Sequence, residues 1–310
     1  MWKQMFKNCV SLTSIPDVPG MDRPTTYQCQ EMFSGCSSLT DVDLPFERIN
    51  DGSYSCASMF ANCSQLSSMV VKFTSWNGNA TDNWLNGVAA TGTFYCPSAL
   101  GTNDTIERGV SRCPVGWTVV NGTPQGPFWR FTVRGAYRLD SEGNPATGDD
   151  ARYTQLGELY MWDANGNRVN QNLELQTPHY VEGYTDLSWL SAGQVTQGRD
   201  QSSGGPRENL SKMFDDDQST KWAVSNPIPV SGDSTTWPMA VMRLQDGVQV
   251  ASYNFRSAND GNPPRNIVSW TFENSTDGIN WTEVTRVDNY TTGIPTDQFE
   301  LYNGGTAFQM

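Results

Sequence analysis

The strongest constraint on this chain is a repeat with a period of 27 residues. Cys9, Cys36 and Cys63 are spaced by 27, as are Cys29 and Cys56, and Trp2 falls in the phase of the second pair. Met5-Phe6, Met32-Phe33 and Met59-Phe60 align in the same rows. So do Leu12, Leu39 and Leu66, and Ile15, Val42 and Met69. The shared unit reads C-x-x-M-F-x-x-C-x-x-L-x-x-φ, where φ is apolar. A fixed period of this length marks a solenoid, because one repeat cannot bury its apolar face alone and neighbours must stack. Each position then forms a ladder. Thiols suit a ladder because free cysteine packs as a small hydrophobe.

All seven cysteines lie before residue 114. Zinc sites take cysteines about two to four residues apart, whereas the pairs here are seven apart, so the set reads as core rather than metal. Disulfides remain open to it, Cys96 with Cys113 first among them. The odd count leaves one thiol free.

The stretches CQEMFSGCSSLTDV and CASMFANCSQLSSM resemble the BspA-type leucine-rich repeats of bacterial surface proteins, over residues 1–121. The resemblance implies a short α/β leucine-rich-repeat solenoid. WLNGVAATGTFYCP followed by CPVGWTVVNG looks like its closing unit, with Trp84 and Trp117 sealing the last core layer. No such unit stands at the other end, where Met1 and Trp2 already sit inside a repeat. An uncapped solenoid end exposes apolar surface and associates. A protein partner or upstream repeats are therefore expected there.

Residues 122–127, Gly-Thr-Pro-Gln-Gly-Pro, form a turn-rich linker after Asn121. The texture then changes. Cysteine vanishes and short strand-like runs begin: FWRFTVRG, QLGELYMWD, MAVMRLQ, VASYNFRS, IVSWTFENS and WTEVTRVD. In FWRFTVRG, Phe128, Arg130, Thr132 and Arg134 stand opposite Trp129, Phe131 and Val133. Asn165-Gly166, Asp246-Gly247, Asp260-Gly261 and Asp277-Gly278 punctuate the runs. Short strands with such turns predict an antiparallel β-sandwich. The acidic excess sits here too, 23 acids against 13 bases, compared with 10 against 7 in residues 1–121.

ENLSKMFDDDQSTKW resembles the N-A-x-x-x-x-D-G-D-x-x-T-x-W signature of discoidin, or coagulation-factor C-type, domains. VASYNFRSANDGNPPRNIVSWTFENSTDGINWTEV is similar to the same family's central strands and its S-x-D-G-x-x-W turn. The resemblance spans residues 128–310 and implies an all-β antiparallel jelly-roll sandwich with a galactose-binding-like fold. FWRFTV and YTQLGELYMWDANGNRV look like the family's closing strands, yet they come first. The expectation is a circular permutation, which folds tolerate where termini lie close together.

The resemblance also implies sites. The family's acidic loop wraps a structural Ca²⁺, which takes carboxylate, hydroxyl and carbonyl oxygens. The matching residues are Asp215, Asp217, Thr220 and, on a closing strand, Glu158. Asp216 stands where the motif has glycine, a residue that permits positive φ. The family's ligand loops match residues of about 196–208, 224–238 and 257–266. They offer Arg207, Asn226, Asp233, Trp237, Asn259, Asp260 and Arg265. Trp237, in a polar loop, is the aromatic face expected to stack on a sugar. Asp260 and Arg265 have a second reading, as a pair that braces their own loop. Trp222, Trp270 and Trp281 read as core.

Other classes fall away. A net charge of −13 opposes nucleic acid, which needs clustered Lys and Arg, and opposes anionic lipid. No run of roughly 18 apolar residues exists, so membrane insertion is not expected. MWKQMFKNCVSL lacks the apolar stretch of a secretory signal. The single histidine, His179, is the only base a histidine-dependent triad could use, and it reads as a loop residue. No P-loop, G-x-S-x-G or H-E-x-x-H pattern occurs. The expected function is non-enzymatic recognition and adhesion at a bacterial cell surface, through a cell-surface glycan or glycoprotein. The alternative is a phage virion component, tail or fibre, that uses both modules for docking and host attachment.

Overall fold

The fold is seen in a computed structural model. It describes residues 2–19, 21, 24–49, 54–137, 139, 142–148, 153–176, 186–198, 208–224, 239–260 and 263–310. The chain divides into two compact units, Met1–Pro124 and Gln125–Met310. Both are rich in β-structure. No helix among the described residues is long and apolar enough to cross a membrane.

The first unit is a solenoid of turns and short strands. Strands β1 (Asp41–Asp43), β2 (Ser68–Val70), β3 (Gly92–Cys96) and β4 (Trp117–Asn121) form one parallel sheet in chain order. Asp41 pairs with Ser68 one repeat later. The C-x-x-M-F-x-x-C segments form the other wall, and here the α part of the expected α/β solenoid is corrected. They run as consecutive turns, and no α-helix occurs among the unit's described residues. The cause is local. Left-handed residues recur in register at Gln4, Glu31 and Ser58, and again at Asn8, Gly35 and Asn62. An α-helix cannot continue through such residues.

Their backbone groups therefore pair between repeats. Phe6 N donates to Met32 O at 2.9 Å, Phe33 N to Met59 O at 2.9 Å and Phe60 N to Trp84 O at 3.0 Å. The rings stack in the same order, with Phe6 on Phe33 at 5.4 Å and Phe33 on Phe60 at 5.5 Å, nearly parallel. The thiols also bond across repeats, Cys36 Sγ to Phe6 O at 3.1 Å and Cys63 Sγ to Phe33 O at 3.2 Å. All seven cysteines are free thiols, six of them buried. The Cys96–Cys113 disulfide is thus not formed: Cys96 faces Gly101 O, and Arg108 donates to the Cys113 sulfur at 3.3 Å. At the closing end Trp84 and Trp117 are buried. Their ring N–H groups donate to Arg112 O at 2.9 Å and Ala89 O at 2.8 Å.

The second unit holds β5 (Phe128–Ala136), β6 (Thr154–Leu156), β7 (Glu158–Trp162), β8 (Glu174–Leu175), β9 (Gln194–Gly198), β10 (Trp222–Val224), β11 (Met239–Arg243), β12 (Ser252–Arg256), β13 (Ile267–Ser275), β14 (Thr282–Val287) and β15 (Phe308–Gln309). They form a six-stranded sheet ordered β14-β13-β5-β11-β9-β8, a three-stranded sheet β15-β12-β7 and a ribbon β10-β6. All pairs are antiparallel except β8 with β9. The larger sheets face each other across an aromatic core. Phe131 meets Phe255 at 5.4 Å, Tyr253 meets Phe272 at 4.7 Å, and Trp270 Nε1 donates to Tyr253 Oη at 2.9 Å. The first strand, β5, lies centrally between β13 and β11. Its expected alternation is therefore incomplete. Phe128 and Thr132 are buried along with Trp129, Phe131 and Val133. Phe128 packs under Leu187 and Leu190 on the outer face of the sheet.

Candidate functional site

The register sorts the loops of the second unit into two ends. Ala136 pairs with Ile267, and Gly198 with Met239. The segment 257–266 runs into β13 at that end. Of the expected ligand residues, Arg207, Asn226, Asp233 and Trp237 lie outside the described residues, as does His179. Asn259, Asp260 and Arg265 are described, and three chain segments converge on them.

Asp260 is the hub. Its Oδ2 accepts from Lys221 Nζ at 2.5 Å and from Arg265 Nη1 at 3.5 Å, and its Oδ1 accepts from Gln155 Nε2 at 2.6 Å. Lys221 is only 8 % exposed. It also reaches Gln155 Oε1 at 3.3 Å and Glu208 Oε1 at 3.7 Å. Arg265 lies over the Tyr153 ring at 5.2 Å, and Asn259 Nδ2 donates to Ser219 O at 2.9 Å. Asp260 and Arg265 thus brace their loop, as the second reading had it. A carboxylate offers about four acceptor directions. Described residues use three of these on Asp260, beside the Tyr153 ring and the Arg265 guanidinium. Breaking the pair at buried Lys221 would cost about 3–5 kcal/mol, so the cluster is held rigidly. The sequence did not single out Lys221. Its partners Gln155 and Asp260 are 66 and 39 residues away.

The acidic run forms a turn beside this cluster. Asp215 Oδ1 accepts from Asp217 N at 3.1 Å and Thr220 Oγ1 at 3.1 Å, while its Oδ2 accepts from Lys212 Nζ at 2.9 Å. Asp217 Oδ1 accepts from Ser219 N at 2.8 Å. Asp216 adopts φ +57°, the left-handed conformation that the motif's glycine would supply, and one that aspartate tolerates better than most residues. Its carboxylate accepts from Arg168 Nη1 and, at 2.7 Å, from Gln171 Nε2. The Arg168 guanidinium also donates to Glu158 Oε2 at 3.2 Å and lies 4.5 Å from the centre of the Tyr160 ring.

Glu158 is almost wholly buried, and its Oε1 has no partner among the described residues. Burial pushes its carboxyl up to about 8; Arg168 opposes this rise, whereas Asp216 and Asp215 add to it. That orphan oxygen suits a cation, but the rest of the set does not. Asp215, Asp217 and Thr220 turn onto their own loop, and Arg168 brings positive charge between Glu158 and Asp216. No three His, Cys, Asp or Glu side chains among the described residues are grouped to hold a metal ion. As placed, the four residues do not fit calcium. Arg168 was invisible as a site residue, because only the fold brings it to Asp216, 48 positions away.

Comparison with known proteins finds no matching family model, no similar curated protein and no similar solved structure.

Proposed function

We propose that this chain is a non-enzymatic recognition protein acting at a bacterial cell surface or virion surface. Its second unit is read as a discoidin-like jelly-roll in permuted order that binds a cell-surface glycan or glycoprotein at the Asp260 end. Its first unit is read as a BspA-type leucine-rich-repeat array used for protein docking. One observation carries the glycan reading: a rigid carboxylate, guanidinium and tyrosine ring converge from three chain segments. Fixed polar groups beside an aromatic are what a sugar site requires.

The test uses the full chain on a panel of bacterial surface polysaccharides and host glycans, with Trp237→Ala and Arg265→Ala beside it. Saturable binding lost in both variants supports the reading. Binding that survives both, or no binding by a folded chain, sinks it.

The virion alternative draws on the first repeat. Phe6 N and its ladder mates donate forward, whereas the carbonyls of Lys3, Met5 and Lys7 receive no hydrogen bond among the described residues. Met5 and Val10 are exposed beside them. Such an edge suits either upstream repeats or a protein partner that presents N–H donors.

The acidic turn is read as balanced from within, by Arg168 and Lys212 rather than by calcium.

A further inference from the structure

The ladder of the first unit runs in columns of stacked peptide groups. In one column Phe6 N donates to Met32 O, Phe33 N to Met59 O, Phe60 N to Trp84 O and Leu85 N to Val110 O. In a neighbouring column Asn8 N donates to Ser34 O, Gly35 N to Ala61 O and Asn62 N to Asn86 O. The C=O of one residue and the N–H of the next belong to one planar trans peptide and point opposite ways. Each column therefore has a direction. Its first carbonyl points out of the open end, at residues 2–10, and its last N–H points out of the closing end.

Both columns end unfilled. At the open end Met5 O and Lys7 O accept no hydrogen bond among the described residues. At the closing end Ser111 N and Gly87 N donate none. Ser111 N ends the first column, because it shares a peptide with Val110 O. Gly87 N ends the second, because it shares a peptide with Asn86 O. The closing segment thus adds one peptide to the first column and none to the second. Beside Gly87 it leaves a cavity of about 240 Å³, lined by Leu85, Val88, Val110, Pro114 and Val115. Val110 and Val115 are exposed, Val115 to 75 %. At the open end Met5 and Val10 are the exposed apolar side chains.

These two ends fit each other and neither fits itself. Peptide dipoles aligned head to tail add, so the columns leave negative partial charge at the open end and positive at the closing end. Two open ends would set carbonyl against carbonyl, and two closing ends N–H against N–H. An open end on a closing end continues the column instead, with Ser111 N donating to Met5 O of a second copy. Chains of hydrogen bonds strengthen one another, which favours extending a column already formed. Apolar surface meets apolar surface at the same junction: Met5 and Val10 on one side, the lined cavity with Val110 and Val115 on the other. Such a contact uses a different surface on each partner, so it repeats into a ring or a filament rather than closing as a twofold pair.

We propose that the first unit stacks head to tail on a second copy of this chain, the open end of one against the closing end of the next. This rests on the reading of the first unit as a docking array and names its partner. The test is analytical ultracentrifugation of the full chain across a range of concentrations. Two double variants run beside it: Met5→Asp with Val10→Asp at the open end, and Val110→Asp with Val115→Asp at the closing end. Thermal melts confirm folding, and serine replaces aspartate in any variant that melts early. The wild-type mass should grow with concentration beyond a pair. Each variant alone should associate roughly tenfold more weakly or worse. An equal mixture of the two should recover association and stop at a pair, because each keeps one working end. A wild-type chain that stays monomeric overturns self-stacking and leaves the open edge to upstream repeats or another protein. So does association that neither variant weakens, or a mixture that fails to recover it. The docking reading is judged apart, with a labelled peptide of residues 28–36 as the probe. Peptide binding lost in the open-end variant keeps that reading even where self-stacking fails, and no peptide binding by a monomeric chain sinks both.

Discussion

Phe33 and Phe131 are both fully buried phenylalanines, yet they stand in different kinds of core. Phe33 touches the same residue type one repeat before and one repeat after, and its backbone bonds to the next repeat. Phe131 meets Phe255 and Phe272, which are reached only after most of the second unit has been threaded. The first unit is built from neighbour-to-neighbour steps, so its stability is close to a sum of local terms. The second depends on contacts far apart in sequence and folds as a whole. Charge obeys the same divide. In the first unit the described ion pairs lie on the surface. In the second, Lys221 and Arg168 are largely buried, Arg168 against buried Glu158 and Lys221 against half-buried Asp260.

The comparison can be broken most directly in the solenoid. Phe33→Ala removes the middle ring of a stack and should cost about 3–5 kcal/mol. In chemical denaturation the loss should appear only in the transition of the first unit. A matching shift in the second unit's transition would mean that the two do not unfold separately.

Arg168→Met tests the buried charge of the second unit and should cost about 3 kcal/mol. Its size should depend on pH. Glu158 already binds its proton more tightly when folded than unfolded, because burial raises its carboxyl to about 8. Removing Arg168, which opposes that rise, moves the value higher. A raised folded value favours folding at low pH, and that advantage is lost as pH rises through it. The variant should therefore be most damaged near pH 9 and least near pH 6. Adding Glu158→Gln should remove the pH dependence. A flat profile in the single variant would show that Arg168 is not the counter-charge.

Ser58→Gly sharpens the reading of the turns. Ser58 holds φ +52°, a conformation that costs a non-glycine residue about 1 kcal/mol. The substitution should raise the first unit's midpoint slightly. A fall would mean that the left-handed turn is not held there.

The smallest expected effect is none. Chelation of divalent cations should leave the second unit's melting temperature unchanged, because Arg168 and Lys212 already pair with Glu158, Asp216 and Asp215. A clear drop would return Glu158, Asp215, Asp217 and Thr220 to a calcium site.

Spacing made the first unit's repeat readable. Cys9, Cys36 and Cys63 recur at a fixed interval, and identical intervals must stack. The strand-like runs from FWRFTV onward were readable through their apolar content and the Asn-Gly and Asp-Gly breaks. Conformation within the repeat was not. C-x-x-M-F-x-x-C has apolar spacing that suits a helix, and only the in-register left-handed residues make it a run of turns. Nor was the candidate site readable as a whole. Asp260 and Arg265 are near one another in sequence, but buried Lys221 completes their cluster from another segment. LSWL gives no sign that Leu187 and Leu190 are buried until they are placed against Phe128. The sequence by itself determined the features that fixed spacing along a chain imposes: the period, the ladders, the break at residues 122–127 and the β-rich character of residues 128–310. The tertiary structure decided which charges are paired and which aromatics are covered, because those depend on contacts between segments that the order of residues does not place side by side.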